Sequence, residues 1–229
     1  MIVTTLLLCV CLALVLGACF PSTKGDVIHP EVRKGTVRCG GGVLHYLEAG
    51  EAKAPPILLL HGARYSSQTW LGLGVIARMA TAGFHVVAVD LPGFGASLDC
   101  AASSDGGAYL GEACNALELI RPVLVAPSMS GRFALPYAAS SPELIAGLVA
   151  VAPVGANGDL SGLEPGGLPM LAIWGGEDAV SPVAIGRNFA GQTRAEFLVL
   201  SGASHPCYLD APVAFGGAVL GFARRVQGL

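Results

Sequence analysis

Val123-Leu124-Val125-Ala126-Pro127-Ser128-Met129-Ser130-Gly131 is the stretch that decides the fold. An apolar, β-branched run delivers a serine, and a helix-compatible stretch follows. That is the layout of a nucleophile elbow, commonly G-x-S-x-G, in which the serine stands on a sharp strand-to-helix turn. The turn strains the backbone and crowds the positions two residues to either side, so those positions must be small. Ala126 and Ser130 occupy them. Ser130 is a rival nucleophile, but its own second neighbour would be Arg132, too bulky for such a turn. Read blandly, both serines are N-caps of the helix that follows, a role serine favours. Read as an elbow, Ser128 predicts acyl transfer through an acyl-serine.

Four further strand ends carry chemistry. Ile57-Leu58-Leu59-Leu60 runs into His61-Gly62-Ala63-Arg64, and Val86-Val87-Ala88-Val89 runs into Asp90-Leu91-Pro92-Gly93-Phe94-Gly95. Met170-Leu171-Ala172-Ile173-Trp174 is followed by Gly175-Gly176-Glu177-Asp178, and Phe197-Leu198-Val199-Leu200 by Ser201-Gly202-Ala203-Ser204-His205-Pro206. Along the chain the order is Ser128, Asp178, His205. Serine, acid, histidine is the order found in the triad of α/β-hydrolases, whereas other serine hydrolase folds use different orders. Ser128 needs a base because a free hydroxyl is a weak nucleophile at neutral pH. Glu177 is a rival to Asp178, but the spacing from Gly175 places Asp178 as G-x-x-D. His29, His45, His61 and His85 all precede the elbow, so only His205 follows the last predicted strand. The oxyanion hole of such an enzyme is built from an amide in the loop after the first parallel strand and the amide after the nucleophile. Those are the amides of Ala63 and Met129.

The chain resembles the group called alpha/beta-hydrolase domain-containing protein 14. The resemblance is carried by residues 61–70 (His-Gly-Ala-Arg-Tyr-Ser-Ser-Gln-Thr-Trp), Asp90-Leu91-Pro92-Gly93-Phe94-Gly95, Pro127-Ser128-Met129-Ser130-Gly131-Arg132, and Gly202 through Asp210 with its His205-Pro206-Cys207-Tyr208-Leu209-Asp210. It covers roughly residue 35 to the C-terminus. His-Gly and Asp-x-Pro-Gly-x-Gly are shared across the superfamily, while the serine and His-Pro-Cys motifs are narrower. The group often has S-x-S-x-S at the elbow; Ala126 replaces the first serine here and keeps the turn small. The resemblance implies a serine hydrolase of small acyl groups, with acetyl esters and acetylated amines as substrates, and acyl transfer to a thiol such as coenzyme A. The alternative function is a binding or scaffold protein on the same fold, in which the triad is present without a catalytic role.

Composition narrows the classes. The chain has 229 residues, 53% of them hydrophobic and 13% charged, with a net charge of −3. Its mean hydropathy is +0.63. Those values suit a parallel sheet buried on both faces, whose strands read as continuous apolar runs. Nucleic acid as a partner would need concentrated Lys and Arg, which the sequence lacks. No phosphate loop with a lysine and no His/Cys/Asp cluster with metal-ligand spacing appears, so no metal and no resident cofactor are expected. Residues 1–23 carry no charged side chain. They read as a secretory signal peptide or a membrane anchor, which would attach the protein to a membrane; Leu16-Gly17-Ala18-Cys19 also resembles a lipobox. A mis-assigned start or a buried helix, in a cytoplasmic protein, is the alternative. Seven cysteines, at 9, 11, 19, 39, 100, 114 and 207, permit disulfides without demanding them, and Cys207 reads as a packing residue.

The expected architecture is one hydrolase domain over residues 35–229, a doubly wound, mostly parallel sheet. A hairpin is expected over residues 36–48 with its turn at Gly40-Gly41-Gly42, one helix over 66–82, an exposed loop over 95–107, a helix over 108–119, a helix from Ser130 to about Ala139, a short helix from Pro182 and a last helix from about Pro212. Only residues 155–168 separate the strand before them from the acid strand, too few for a helical cap domain. The site should therefore be covered by loops alone.

Overall fold

The five central strands are apolar runs with no exposed position, and alternate side chains feed two different cores. In the computed structural model, which describes residues 30–98, 105–163 and 166–229, eight strands form a single sheet. They are β1 (Arg33–Cys39), β2 (Gly42–Ala49), β3 (Pro56–Leu59), β4 (His85–Val89), β5 (Val123–Pro127), β6 (Gly147–Val151), β7 (Met170–Gly175) and β8 (Glu196–Leu200). Their order across the sheet is β1-β2-β4-β3-β5-β6-β7-β8. β1 and β2 are antiparallel, as is β2 to β4, and all other neighbours are parallel.

The period-two alternation of a strand sends successive side chains to opposite faces. Leu58, Val87, Leu124, Leu148 and Ala172 join one core with α3 (Gly106–Ala116), α4 (Gly131–Ser140) and α5 (Val183–Thr193). Ile57, Leu59, Val86, Val125, Val149 and Ile173 join the other with α1 (Ser67–Gly72), α2 (Val75–Thr81) and α7 (Pro212–Gln227). This is the doubly wound α/β-hydrolase architecture. Between β6 and β7 the described residues contain neither helix nor strand, so no cap domain covers the site.

Local differences from the sequence expectation have local causes. The hairpin extends back to Arg33, where the guanidinium pairs with Glu48 across the strands at 3.3 Å. Its two-residue turn is Gly40-Gly41, both in the left-handed region that a tight hairpin requires. The expected single helix over 66–82 is two helices, because Gly74 takes a left-handed φ of 67° at the N-cap of α2. Ser66 caps α1 by accepting from the Gln68 amide, and Asp105 caps α3 by accepting from the Ala108 amide. That second cap starts α3 at Gly106 rather than 108. The expected short helix after Pro182 is the full 11-residue α5. The expected exposed loop over 95–107 has a buried element: Ser97 is inaccessible, and its hydroxyl accepts from the His45 amide at 2.9 Å. A one-turn helix, α6 (Cys207–Asp210), precedes α7. No helix among the described residues is long and apolar enough to cross a membrane. The signal-or-anchor reading of residues 1–23 falls outside the described residues. Cys114 and Cys207 are buried free thiols.

Trp70 ties the oxyanion loop's strand to the α7 side of the sheet. Its indole N–H donates to the Leu60 carbonyl at 2.8 Å, and its ring lies 4.6 Å from that of Tyr208 and 5.8 Å from that of Phe215. Trp70→Ala removes this fully buried ring and should lower the unfolding free energy by about 3–5 kcal/mol in urea denaturation. A loss below about 1 kcal/mol would show that the aromatic cluster collapses to fill the space.

Candidate active site

The sheet reverses its winding between β3 and β5, since β4 lies on one side of β3 and β5 on the other. Open α/β sheets bind ligands in the crevice beyond the carboxyl ends of the strands at such a point. The residues singled out in the sequence converge there: His61-Gly62 past β3, Ser128 past β5, Asp178 past β7 and His205 past β8.

Ser128 adopts φ 50°, the left-handed conformation that an elbow imposes on its serine. Its carbonyl accepts from the Val154 amide at 2.8 Å, which ties the turn to the segment after β6. Gly131 lies so close to that segment that an added Cβ would collide with the Val154 carbonyl and stand 2.6 Å from Pro153 Cβ. The elbow therefore needs a residue without a side chain at Gly131, three places past Ser128, as well as small ones at Ala126 and Ser130. Ser130 is buried, and its hydroxyl donates back to the Pro127 carbonyl at 2.8 Å. That engagement turns it away from the chemistry.

His205 Nε2 lies 2.9 Å from Ser128 Oγ, and His205 Nδ1 lies 2.7 Å from Asp178 Oδ2. A carboxylate only accepts, so Nδ1 carries the proton and Nε2 accepts from the serine hydroxyl. The other oxygen of Asp178 accepts from the Val180 and Ser181 amides at 2.9 and 2.7 Å. Asp178 is thus held at both oxygens and is 6% exposed. Glu177 is exposed, its side chain makes none of these contacts, and its amide donates to the Ala203 carbonyl. The two loops can meet because Gly175 has no side chain: a Cβ there would collide with the Ala203 carbonyl and lie 2.5 Å from the Ser204 carbonyl.

Two residues that sequence reasoning gave no role support this frame. Asp210 accepts from both the amide and the hydroxyl of Ser204, at 2.7 and 2.5 Å, and these bonds hold its carboxyl below the usual carboxylate range. It thereby fixes the residue before His205. Its place five residues after the histidine was the available signal. Asp90 accepts from the Ser67 amide at 2.7 Å and the Ala96 amide at 2.9 Å, clamping the start of α1 to the turn after β4.

The loop that carries the oxyanion candidate Ala63 passes close to Ser128. Gly62 faces the nucleophile: a Cβ at Gly62 would lie 3.6 Å from Ser128 Cβ, 3.3 Å from the Tyr65 ring and 3.8 Å from the Tyr208 hydroxyl. Ala63, the next residue, is exposed, and Met129 directly follows the serine. His61 orders the loop between them. Its Nδ1–H donates to the Gly62 carbonyl at 2.8 Å, while Nε2 accepts from the Leu91 amide at 2.9 Å. That pair of partners requires the neutral ring. Burial pushes its pKa down, against the smaller opposing effects of the Gly62 bond and the Asp90 charge. His45 and His85 lie in β2 and β4, and His85 meets Glu48 at 3.2 Å. His29 lies outside the described residues. Cys207 is in the core, and burial pushes its thiol up to about 12, which leaves no thiolate at neutral pH.

A pocket of about 230 Å³ opens over Ser128 and His205, walled by residues 152–157, Val180, Ser181 and Ile185. Among the described residues no cluster of His, Cys, Asp and Glu could hold a metal ion.

The chain is similar to several known proteins. The family described as alpha/beta hydrolase fold matches residues 55–165. A human protein named "Putative protein-lysine deacylase ABHD14B" is 35% identical over 207 residues, spanning 86% of this chain and 98% of the relative. Human protein ABHD14A is 33% identical over 180 residues, spanning 77% of this chain and 66% of the relative. Among solved structures, carboxylesterase CesB from Bacillus subtilis superposes with a TM-score of 0.74 at 18% identity, covering 84% of this chain and 91% of its own. A thermophilic esterase from Thermogutta terrifontis reaches 0.70 at 19% identity, covering 85% and 99%. At that identity these structures speak for the fold alone.

The neutral His61 makes stability depend on pH. Its folded pKa lies below the unfolded value of about 6.5, so the unfolded chain binds the proton first as pH falls. The stability it contributes is present above that pH and drains away below it. The urea midpoint should therefore be lower at about pH 5.5 than at about pH 7.5, and the difference should shrink in His61→Gln. An unchanged difference in the variant would assign the pH dependence to other groups.

Proposed function

The chain belongs to the ABHD14 group of alpha/beta hydrolase fold proteins, and from that premise we propose that it is a serine hydrolase of small acyl esters and amides, with acylated lysine among its substrates. The observation that carries this reading is the continuous relay Ser128 Oγ, His205 Nε2, His205 Nδ1, Asp178 Oδ2, with contacts of 2.9 and 2.7 Å.

The chemistry follows from the positions. Ser128 Oγ attacks the acyl carbonyl as His205 Nε2 takes its proton. Asp178, anchored by two amides, holds Nδ1–H in place and stabilises the imidazolium without taking the proton itself. The negative charge that develops on the carbonyl oxygen falls to the amides of Ala63 and Met129, because fixed backbone donors stabilise such charge without reorganisation. As the carbon–heteroatom bond breaks, His205 returns the proton to the leaving nitrogen or oxygen, and Ser128 keeps the acyl group. A water, deprotonated by His205, then attacks the acyl-serine and releases the acid and the free hydroxyl. A thiol such as that of coenzyme A could take the place of water, leaving as the thioester; the lack of a cap leaves room for a bulky acceptor to approach.

Crowding on the oxyanion side supports a small acyl group. Tyr65, Tyr208 and Gly62 press on the space beside Ser128, and no cap supplies further apolar cover. Each added methylene gains about 0.8 kcal/mol only if it finds such cover.

Ser128→Ala should abolish fluorophosphonate labelling and ester hydrolysis, whereas Ser130→Ala keeps a measurable part of both. A labelled Ser128→Ala protein would remove the reading, and an unlabelled wild type would favour a binding role for the fold. His205→Ala should lose about as much as Ser128→Ala, because triad members act as a unit. Glu177→Gln should be close to wild type while Asp178→Asn is impaired. Across p-nitrophenyl esters from acetate to octanoate, kcat/KM should fall beyond acyl groups of about four carbons. A steady rise to octanoate would defeat the small-acyl reading.

A further inference from the structure

Beyond the pocket over Ser128 lies a larger groove of about 490 Å³ between α4 and the segment after β6. It is lined mainly by apolar surface from Leu135, Pro136, Ala139, Val154 and Leu163. The volume falls within the range of pockets that hold organic ligands, roughly 300–1,000 Å³, and a small acyl group leaves most of it unused.

The groove and the catalytic pocket share one wall, Val154 and Gly155. Gly155 has φ +97°, and a Cβ there would meet only Leu135, with its Cδ1 at 3.1 Å. A side chain at this position would project onto a residue of the groove lining. Its absence leaves a low saddle between the two spaces. Val154, 49% exposed, stands beside the saddle and offers apolar surface. The wall is anchored next to the chemistry, since the Val154 amide bonds the Ser128 carbonyl.

Which part of the substrate crosses the saddle follows from the proton. His205 must protonate the leaving atom, so the leaving group sits on the His205 side of the acyl carbon. The catalytic pocket includes His205, Val180 and Ile185, and neither it nor the groove is lined by Gly62, Ala63, Tyr65 or Met129. The walls of both spaces are thus built by segments other than the oxyanion loop. Arg132 and Asp159 contribute one charge of each sign to the groove lining, so its net electrostatic preference is small.

We propose that the groove binds the leaving-group portion of the substrate, taking an uncharged aliphatic or aromatic group attached beyond the atom that leaves Ser128's acyl carbon. The proposal rests on the serine-hydrolase reading and extends it: acyl size is limited at the oxyanion side, while the alcohol or amine portion gains from apolar bulk.

The experiment holds the acyl group constant and varies the alcohol. For the acetate esters of ethanol, butanol and hexanol, kcat/KM of the wild type should climb by roughly fourfold per methylene that reaches the groove, at least tenfold across the series. Ser161→Trp and Ser140→Trp place an indole in the groove from opposite walls, at exposed positions outside the relay. Each should leave ethyl acetate hydrolysis as in the wild type and flatten the series. A flat wild-type series with ethyl acetate turned over overturns the groove proposal and leaves the serine-hydrolase reading standing. So does an undiminished rise in both tryptophan variants. A protein that hydrolyses none of the esters, ethyl acetate included, overturns both readings together.

Discussion

The backbone of Ser128 is the constraint on which the site depends. A φ of 50° at a residue with a Cβ costs energy, and it persists only where the surroundings overdetermine it. Here they do so on three sides. β5 is buried between β3 and β6, so the strand entering the turn cannot shift. The Val154 amide holds the serine carbonyl from the segment just past β6, the strand beside β5. Gly131 packs its bare Cα against Pro153 and Val154, which lets α4 begin at once. The result aims the hydroxyl into the crevice and leaves the Met129 amide beside it.

The other half of the relay is built on the same economy of missing side chains. Gly175 lets the turn after β7 lie directly against residues 203–204, and backbone bonds from Gly176 and Glu177 to Leu200 and Ala203 fasten the two loops together. Asp178 and His205 thus approach each other from neighbouring strands that the sheet already aligns. Asp210 then fastens Ser204 from the one-turn helix behind it. Rigid strands fix the coarse positions, and hydrogen-bonded loops fix the last ångströms. Precise placement of that kind is what a pre-oriented nucleophile and base require.

The missing cap has two opposite consequences for recognition. On the oxyanion side, Tyr65 and the Tyr208 hydroxyl crowd the space beside Gly62 and Ser128. On the His205 side, the short segment after β6 leaves a pocket of mixed polarity and a mostly apolar groove, both open to solvent. The same segment that anchors the serine also shapes the ground over which a leaving group would lie. The shape of both spaces and the geometry of Ser128 are therefore coupled through Val154 and Gly155.

Much of this was legible in the chain because its signals are local. Apolar runs of five or so residues, each ended by a chemically loaded turn, marked β3, β4, β5, β7 and β8, and the order Ser128, Asp178, His205 matched one fold. The small residues around Ser128 marked the elbow. What the sequence could not show depends on contacts between distant segments. The G-x-x-D spacing favoured Asp178 over Glu177, but the physical reason lies in the two amides that seize Asp178 and the loop approach at Gly175. Ser97 looked like part of a polar loop, yet it is buried because the His45 amide, 52 residues away, needs an acceptor. Gly74 broke an apparently continuous helix because only a left-handed residue turns α1 into α2 at that angle. The groove beside α4 was invisible for the same reason: a cavity belongs to no residue, and its walls come together only when the sheet has placed them.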